Sequence, residues 1–494
     1  VNWIDRVIAS ISPRWAYKRM AWRSGMDLFD SGGRGRLNAN WNPAQKYDQF
    51  RMARERAVIR ARAQDMERNS DLAAAVLSAF DRNVVGSGLV LQAKIGQDVA
   101  GNENDELNAK IEKMWREWSK AENCDITGTQ SLEEIESMLI RRYIVDGGFF
   151  VVKVYVKDRR FPFKLQIRSV DELATNLPAY HDRRVIEGVE LDQYNRPVAY
   201  HFKKIDASGL SEFSNETVRI EARDVIYIFK KTHPQQIREV SLLATALNRI
   251  KDANQFIEAV GIKERVLACM AVFIKKREPT SPGRGLGPSG QNISYDGMTL
   301  SPGMIGELNP GDEVQTVIPS GQASNTKDFL ATLVRLIAAG LGLSYEAVSR
   351  DLSQVTYSSA RQGLIEDRKV FRKMQRMLAD RVLTPIYLEF LDAMHLTGQL
   401  NIPDYLKNKE RYTAHVWIPP GSSWIDPTKE VTANKIALET NQDTLQRIAA
   451  ERGEDWREVL KQRAAEIRYM QELMGGVESV ADDNEGADDD ESVA

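Results

Sequence analysis

The sequence predicts an α+β chain of several units, and three observations carry that prediction. Helical periodicities come first, up to about residue 145; short β-branched and aromatic segments follow, up to about residue 204; a Pro/Gly-rich break then interrupts a second, mainly helical half. Runs of helices followed by runs of strands argue against a doubly wound sheet. At 494 residues the chain exceeds a single ordinary core, and roughly 150 residues per domain suggests about three units.

The first 45 residues combine Trp3, Trp15, Trp22 and Trp41 with Arg14, Lys18, Arg19, Arg23, Arg34 and Arg36, which reads as a basic arm anchored by aromatics. It either wraps a neighbour or nucleic acid, or packs as a terminal helix on its own domain. Next, YDQFRMARERAVIRARAQDMERN is helical with alternating charges, and Ser70 caps DLAAAVLSAFDRNVVG, closed by Gly86. A third helix is expected around Leu132 to Ile144. FFVVKVYV (149–156), FKLQIRSV (163–170), RVIEGVEL (184–191) and PVAYHFKK (197–204) then read as strands of an antiparallel sheet or small barrel.

From Ser241 to Lys276, apolar residues at Leu243, Leu247, Ile250, Ala253, Ile257, Val260 and Leu267 keep the three-and-four rhythm of one long helix, about 50 Å at 1.5 Å per residue. REPTSPGRGLGPSGQNISYDG breaks it. A short apolar helix resumes at DFLATLVRLIAAGLG (328–342), and SRDLSQVTYSSAR follows as a hydroxyl-rich hinge. Beyond the hinge, Phe371, Met374, Leu378, Val382, Ile386 and Phe390 form one face of a long helix, kinked or interrupted near Pro385. Arg368, Arg372 and Arg376 form another face, either functional or a solvated stripe pairing with Glu366, Asp367 or Asp380. Asp426 and Pro427 start the last helices, and the segment beyond Gly475 has too little apolar surface to order itself.

Composition excludes several function classes. A hydrophobic fraction of 42%, a charged fraction of 28% and a mean hydropathy of −0.42 describe a water-soluble globular chain. The net charge of −3 is far from that of a strongly basic nucleic-acid binder. Its distribution is uneven: residues 1–68 carry 14 Lys and Arg against 7 acids, whereas residues 469–494 carry nine acids and no Lys or Arg. Cys124 and Cys269 stand far apart, which suits buried thiols in a reducing compartment rather than a disulfide or zinc framework. No apolar run reaches the roughly 20 residues of a membrane span, and no secretory signature opens the chain, so a cytoplasmic protein without a membrane partner is expected.

Catalytic signals are weak. GLGPSG (285–290) matches the letters of a dinucleotide fingerprint without its strand–turn–helix setting, and no GxxxxGK[ST] loop occurs. His181, His201, His233, His395 and His415 show no metal-ligand spacing, and His201 reads as a satisfied sheet residue. Ser358 and Ser359 have no sequence-local base. No catalytic residue, metal or cofactor is expected.

Several blocks nonetheless resemble the lambda-type family of tailed-phage portal proteins. They are RNSDLAAAVLSAFDRNVVGSGLVLQ (68–92), DGGFFVV (146–152), EVSLLATALNRIKDANQFIEAVGIKERVLACMAVFI (239–274), LNPGDEVQTVIPSGQASNTKDF (308–329), AAGLGLSYEAVSRDLSQVTYSSAR (338–361) and WIDPTKEVTAN (424–434). LGLSYE, SRDLS and YSSAR are the most specific. The resemblance implies a portal fold with an N-terminal arm (1–45), a wing (46–240), a first stem helix (241–276), a clip (277–326) and a second stem helix (327–343). It further implies a tunnel loop (344–360), a long wing helix and return (361–419), crown helices (420–474) and an acidic disordered tail (475–494).

The function it implies is that of a dodecameric ring at one capsid vertex of the virion, assembled in the host cytoplasm. Its channel passes double-stranded DNA during packaging and ejection. The implied partners are further copies of the chain, the terminase large subunit, the major capsid and scaffold proteins, and head-completion or connector proteins. Ser349, Arg350, Gln354, Thr356 and Tyr357 become the DNA-facing loop, able to make exchangeable hydrogen bonds without gripping phosphates through many cations. Arg361, Arg368, Arg372 and Arg376 become a basic stripe facing the channel or a neighbouring subunit. Two other readings compete: a nucleic-acid-processing enzyme with a dispersed active site, and a monomeric DNA-binding module using the basic arm.

Overall fold

The computed structural model describes residues 10, 12, 15, 49–95, 105–175, 177, 184–204, 216–268, 272–276, 312–316, 326–353, 356–402, 405–421 and 427–485. Nearly all of the arm, most of the Pro/Gly-rich segment, Cys269 and residues 486–494 lie outside these. The chain forms two compact units, residues 1–55 and 56–494; the architecture below is that of the second.

Helix α1 (Gln49–Asn69) is followed at once by α2 (Asp71–Val84), because Ser70 is extended and its hydroxyl accepts from the Ala73 N–H at 3.3 Å. Ala73, Val76, Leu77, Phe80 and Val84 line the buried face of α2. Strand β1 (Val90–Ala93), helix α3 (Asp105–Trp118), the turn α4 (Ala121–Cys124) and helix α5 (Leu132–Val145) come next. α5 begins with a reciprocal capping box between Ser131 and Glu134. Cys124 is buried as expected, and burial pushes its thiol up to about 12.

Two antiparallel sheets follow. In the first, β2 (Gly148–Tyr155) lies between β3 (Phe163–Arg168) and β8 (Val225–Phe229). In the second, β4 (Arg184–Ile186), β5 (Val189–Leu191), β6 (Pro197–Lys203) and β7 (Thr217–Glu221) pair in sequence order. RVIEGVEL, expected as one strand, is a hairpin. Glu187 and Gly188 have φ of 49° and 83°, the two positive angles that a tight two-residue turn requires. His201 sits in β6 with Nε2 at 3.2 Å from Glu190 Oε2, a sheet residue satisfied by its neighbour.

A second hydrophobic cluster brings together Phe150 and Val152 of β2, Val225 of β8, and Val189, Tyr200 and Phe202 of the four-stranded sheet. Beside it, the fully buried Glu239 accepts from Arg238 Nε at 2.8 Å and from Arg60 Nη1 at 2.9 Å. Burial opposes ionisation of Glu239, but Arg238, then Arg56 and Arg60, outweigh it and hold the carboxyl below its ordinary value.

The stretch 241–276, expected as one helix, is instead a 3₁₀ turn (Leu242–Thr245), helix α6 (Leu247–Ala268) and strand β9 (Val272–Lys276). β9 pairs antiparallel with β10 (Asp312–Thr316), with Lys276 opposite Asp312 and Lys275 opposite Glu313. The apolar rhythm hides the change, but Val272, Phe273 and Ile274 are residue types that favour a strand. Helix α7 (Thr326–Leu341) lies against α6, with the Phe256 and Phe329 rings 4.7 Å apart.

After a short helix α8 (Tyr345–Ser349) comes α9 (Tyr357–Leu378), a π-helical turn (Ala379–Leu383) and α10 (Thr384–Leu396). The interruption expected near Pro385 is this widened turn. Proline has no N–H to donate, and its ring crowds the carbonyl four residues earlier. Strand β11 (His415–Ile418) pairs with β1 across more than 300 residues, and α11 (Pro427–Glu439), α12 (Leu445–Glu451) and α13 (Trp456–Glu485) end the described chain. α13 does not stop at Gly475 as expected. Each added residue extends a helix by one hydrogen bond, and Glu and Ala between residues 478 and 485 are good helix formers.

Two substitutions check this packing. Gly147 has φ +90°, and a Cβ there would stand 2.3 Å from the Val240 carbonyl carbon, whereas Gly128 has φ +69° with open space around it. Gly147→Ala is expected to lower the melting temperature sharply. Gly128→Ala is expected to cost only the backbone strain, about 1 kcal/mol. Equal effects in thermal denaturation would contradict the close approach.

Glu136 of α5 is buried and accepts from the Leu89 N–H at 3.2 Å; burial pushes its pKa from 4.5 to about 8. The folded state therefore keeps a proton that the unfolded state releases above pH 4.5. Stability should fall as pH rises from there to about 8, by at most about 1.4 kcal/mol per pH unit from this group. Glu136→Gln should remove that slope and raise stability at pH 8, as read from denaturant midpoints across the range.

Candidate functional site

The segment expected to be a loop over residues 344–360 is largely tied down. At the end of α7, Gly342 turns the chain with φ +78°, and Ser344 caps α8 by accepting from the Ala347 N–H at 3.2 Å. Asp367 of α9, itself buried, accepts from the Ser344 N–H at 2.7 Å and from the Ser344 hydroxyl at 2.6 Å. Val348 is buried, so α8 is part of the packed structure.

The open part is therefore residues 350–356. Arg350 adopts the left-handed conformation, φ +56°, that ends α8, and its side chain is exposed. Asp351 turns the chain back on itself, accepting from the Ser353 N–H at 3.0 Å and the Ser353 hydroxyl at 2.6 Å; that hydroxyl, first among the causes, lowers the Asp351 pKa. Leu352 is exposed. Gln354 lies outside the described residues.

Thr356 and Tyr357 differ from the expectation of loop residues. Thr356 is the N-cap of α9, its hydroxyl accepting from the Ser359 N–H at 3.4 Å, and Tyr357 is the first helical residue. The reason is chemical: Thr and Ser three apart form a capping box. Ser349 ends α8, and its hydroxyl accepts from the Asp351 N–H at 3.1 Å. Hydroxyls that looked available for transient contacts thus serve partly as caps. Ser359, weighed above as a nucleophile, donates to the Thr356 carbonyl at 3.0 Å.

The basic stripe divides. Arg361 is exposed near the start of α9. Arg368, Arg372 and Arg376 line a groove of about 1150 Å³ with Arg82 of α2, Arg447 and Glu451 of α12, and Trp417 of β11. Arg372 Nη2 lies 3.5 Å from Glu451 Oε1, with both side chains more than half exposed, a pair that water screens. Arg82 Nε donates to the Ser78 carbonyl at 3.0 Å. The groove floor is fixed by Gln375, which donates to the Asn83 carbonyl at 2.9 Å and so joins α9 to α2.

Behind the groove, burial lowers the pKa of His415, so the ring is neutral at pH 7. Nδ1 lies 2.6 Å from the Thr413 carbonyl and must carry the proton; Nε2 then accepts from the Thr384 hydroxyl at 3.0 Å, which in turn accepts from Trp417 Nε1 at 3.0 Å. Sequence reasoning missed Arg82 and Arg447 as partners of the stripe. They come from segments nearly 300 and about 70 residues from α9; the Gln375–Asn83 hydrogen bond and the Phe80–Phe371 ring contact hold α2 against α9, and the Arg372–Glu451 pair spans α9 and α12. Among the described residues no group of three His, Cys, Asp or Glu side chains could hold a metal ion, and no helix is long and apolar enough to cross a membrane.

Breaking the clamp under the loop should show in exchange. Asp367→Ala leaves the Ser344 donors without their partner at a cost of about 1–3 kcal/mol. Amide exchange should accelerate over residues 344–353 while staying unchanged in α5; uniform protection in the variant would show that the clamp does not hold this segment.

Comparison with known proteins adds a family. The sequence model described as "Phage portal protein, lambda family" matches residues 34–375. The chain is 27% identical to the probable portal protein of Halomonas phage phiHAP-1, over 93% of this chain and 91% of that one. It is 22% identical to the portal protein of Escherichia phage N15 and to portal protein B of Escherichia phage lambda, in both cases over 88% of each chain. Among solved structures it is similar to a chain in the neck of a native gene transfer agent particle computed with C12 symmetry, with 13% identity, 79% of this chain and 92% of that chain covered, and a TM-score of 0.44. A chain in the virion of a native gene transfer agent particle gives 12% identity, 83% and 95% coverage, and a TM-score of 0.41.

Proposed function

The chain belongs to the lambda family of phage portal proteins, and on that premise we propose that its copies close into a ring, expected to hold twelve, at one vertex of a tailed-phage capsid. The ring forms the channel for double-stranded DNA in packaging and ejection. The terminase large subunit docks on it first and head-completion or connector proteins later, with the major capsid and scaffold proteins around it during assembly in the host cytoplasm. The chain's own role is structural. The observation that carries this reading is the family match, continuous over residues 34–375 and spanning the sheets, α6, α7, the 350–356 loop and most of α9.

In this reading residues 46–240 are the wing, α6 and α7 the stem, the segment between them the clip, residues 350–356 the tunnel loop, and α11 to α13 the crown. Stem packing supports it. Leu243, Leu247, Ile250 and Ala253 of the α6 region are buried, but the same apolar rhythm continues into Ile257 at 47% exposure; Ile262, on another face of α6, is 51% exposed, and Phe329 and Leu336 of α7 are half exposed. A cyclic assembly needs two different complementary faces on each subunit, and apolar side chains left open on a helix pair suit that use.

The loop then offers DNA few strong contacts. Arg350 is its one cation, and a neutralised phosphate is a salt-dependent contact that slows sliding when many act together. Ser349, Gln354, Thr356 and Tyr357 contribute neutral groups, with Thr356 and Ser349 partly engaged as caps.

Native mass spectrometry and end-on electron-microscope views of the purified protein test the reading. The expected outcome is a closed ring near twelve subunits with a hole that admits duplex DNA. A monomer that persists at high concentration and with capsid or scaffold protein present would overturn it in favour of a dispersed-site nucleic-acid enzyme. Arg350→Ala and Gln354→Ala should leave rings assembled and change packaged DNA length or retention; loss of assembly would argue that the loop is a subunit contact.

A further inference from the structure

The groove beside α9 is positively charged, and this chain carries its own polyanion. Arg82, Arg368, Arg372, Arg376 and Arg447 line it with Asp380 and Glu451, and Arg447 pairs with Asp443 at 3.5 Å, which leaves a surplus of two positive charges. Arg372 makes a screened pair with Glu451, and the three cations of α9 alternate with the apolar Phe371 and the amide of Gln375 along the wall. The segment from Glu478 to Glu491 carries eight carboxylates and no Lys, Arg or His.

In this structure α13, which carries residues 478–485, supplies none of the described residues that line the groove. The groove ends at Arg447 and Glu451 of α12, next to the start of α13. α13 then runs thirty residues, about 45 Å.

We propose that the groove receives the acidic segment Glu478–Glu491 of a second copy of the chain, so that each subunit's last helix clasps the wing helix α9 of another. Carboxylates meet guanidiniums that present paired donors, and Glu451 is displaced from Arg372. The clasp joins α9, whose first turn carries the Thr356 cap beside the loop, to the acidic segment of another subunit. This rests on the ring reading for the supply of a second copy.

The test uses full-length protein with the photoreactive residue p-benzoylphenylalanine in place of Arg376, co-assembled from isotopically labelled and unlabelled chains, with native mass spectrometry of the same sample. The expected result is light-induced crosslinks from position 376 to residues 477–494, joining labelled to unlabelled chains. Their yield should fall at least fivefold when Asp488, Asp489 and Asp490 are changed to Asn, and also in high salt, where exposed charge pairs are screened. Crosslinks confined to one copy, crosslinks to another segment, or a yield unchanged by the Asn variants would overturn the proposal. So would capture of added duplex DNA in preference to the acidic segment, which would make the groove a phosphate site. A monomer overturns this inference together with the ring reading, whereas an intact ring lacking the crosslink overturns the groove assignment alone.

Discussion

The larger unit depends on an aromatic cluster centred on Trp115. Its ring lies within 4.8–5.7 Å of those of Trp118, Tyr387, Phe390 and Trp417, and Trp118 stacks on Phe163 at 5.5 Å while its Nε1 donates to the Phe163 carbonyl at 2.8 Å. These residues belong to α3, α10, β3 and β11, elements that sequence separates by up to about 300 residues. Ring pairs of this kind add about 0.5–1.5 kcal/mol each beyond their buried area. Because α10 is fixed here, the π turn and the C-terminal half of α9 are fixed with it. The other half of α9 is fixed by Asp367 and Ser344, so the 350–356 loop hangs between two anchored points.

Local chemistry was legible and long-range assembly was not. Ser70 and the Ser131–Glu134 pair announce two helix starts, and β2, β3 and β6 lie within a residue or two of the β-branched runs that suggested them. The Glu187–Gly188 hairpin was missed although its turn signal stood in the sequence, because three residues on each side of a two-residue turn can mimic one continuous strand. α3 was missed for another reason: its apolar face, Leu107, Ile111, Trp115 and Trp118, follows a segment outside any clear pattern. The β9 error shows that an apolar three-and-four rhythm can outlast the helix that it describes, since only pairing with β10 decides the backbone.

The candidate site divides along the same line. A hydroxyl-rich break between two helices was visible, but not that Ser344, Ser349, Thr356 and Ser359 would spend their hydroxyls on caps and turns. Ser and Thr hydrogen-bond their own backbone readily, so a cluster of them between helices more often shapes the ends of the helices than decorates a loose loop. The free segment is shorter than the 344–360 expected, and it carries one cation, Arg350, and one carboxylate, Asp351.

The distribution of cation types then distinguishes the loop from the groove. α9 also carries Lys369 and Lys373, yet neither lines the groove, and all five of its cations are arginine. Lysine is a compact, strongly hydrated charge, whereas the guanidinium is planar, weakly hydrated and able to grip a carboxylate or phosphate through paired N–H groups. A wall of guanidiniums is therefore suited to hold an anion in place. The loop has a single cation, Arg350, at a left-handed position beside the carboxylate of Asp351. The same chain therefore keeps its paired-donor guanidiniums twelve to twenty residues beyond Thr356, and a rigid helix separates them from a loop with one cation.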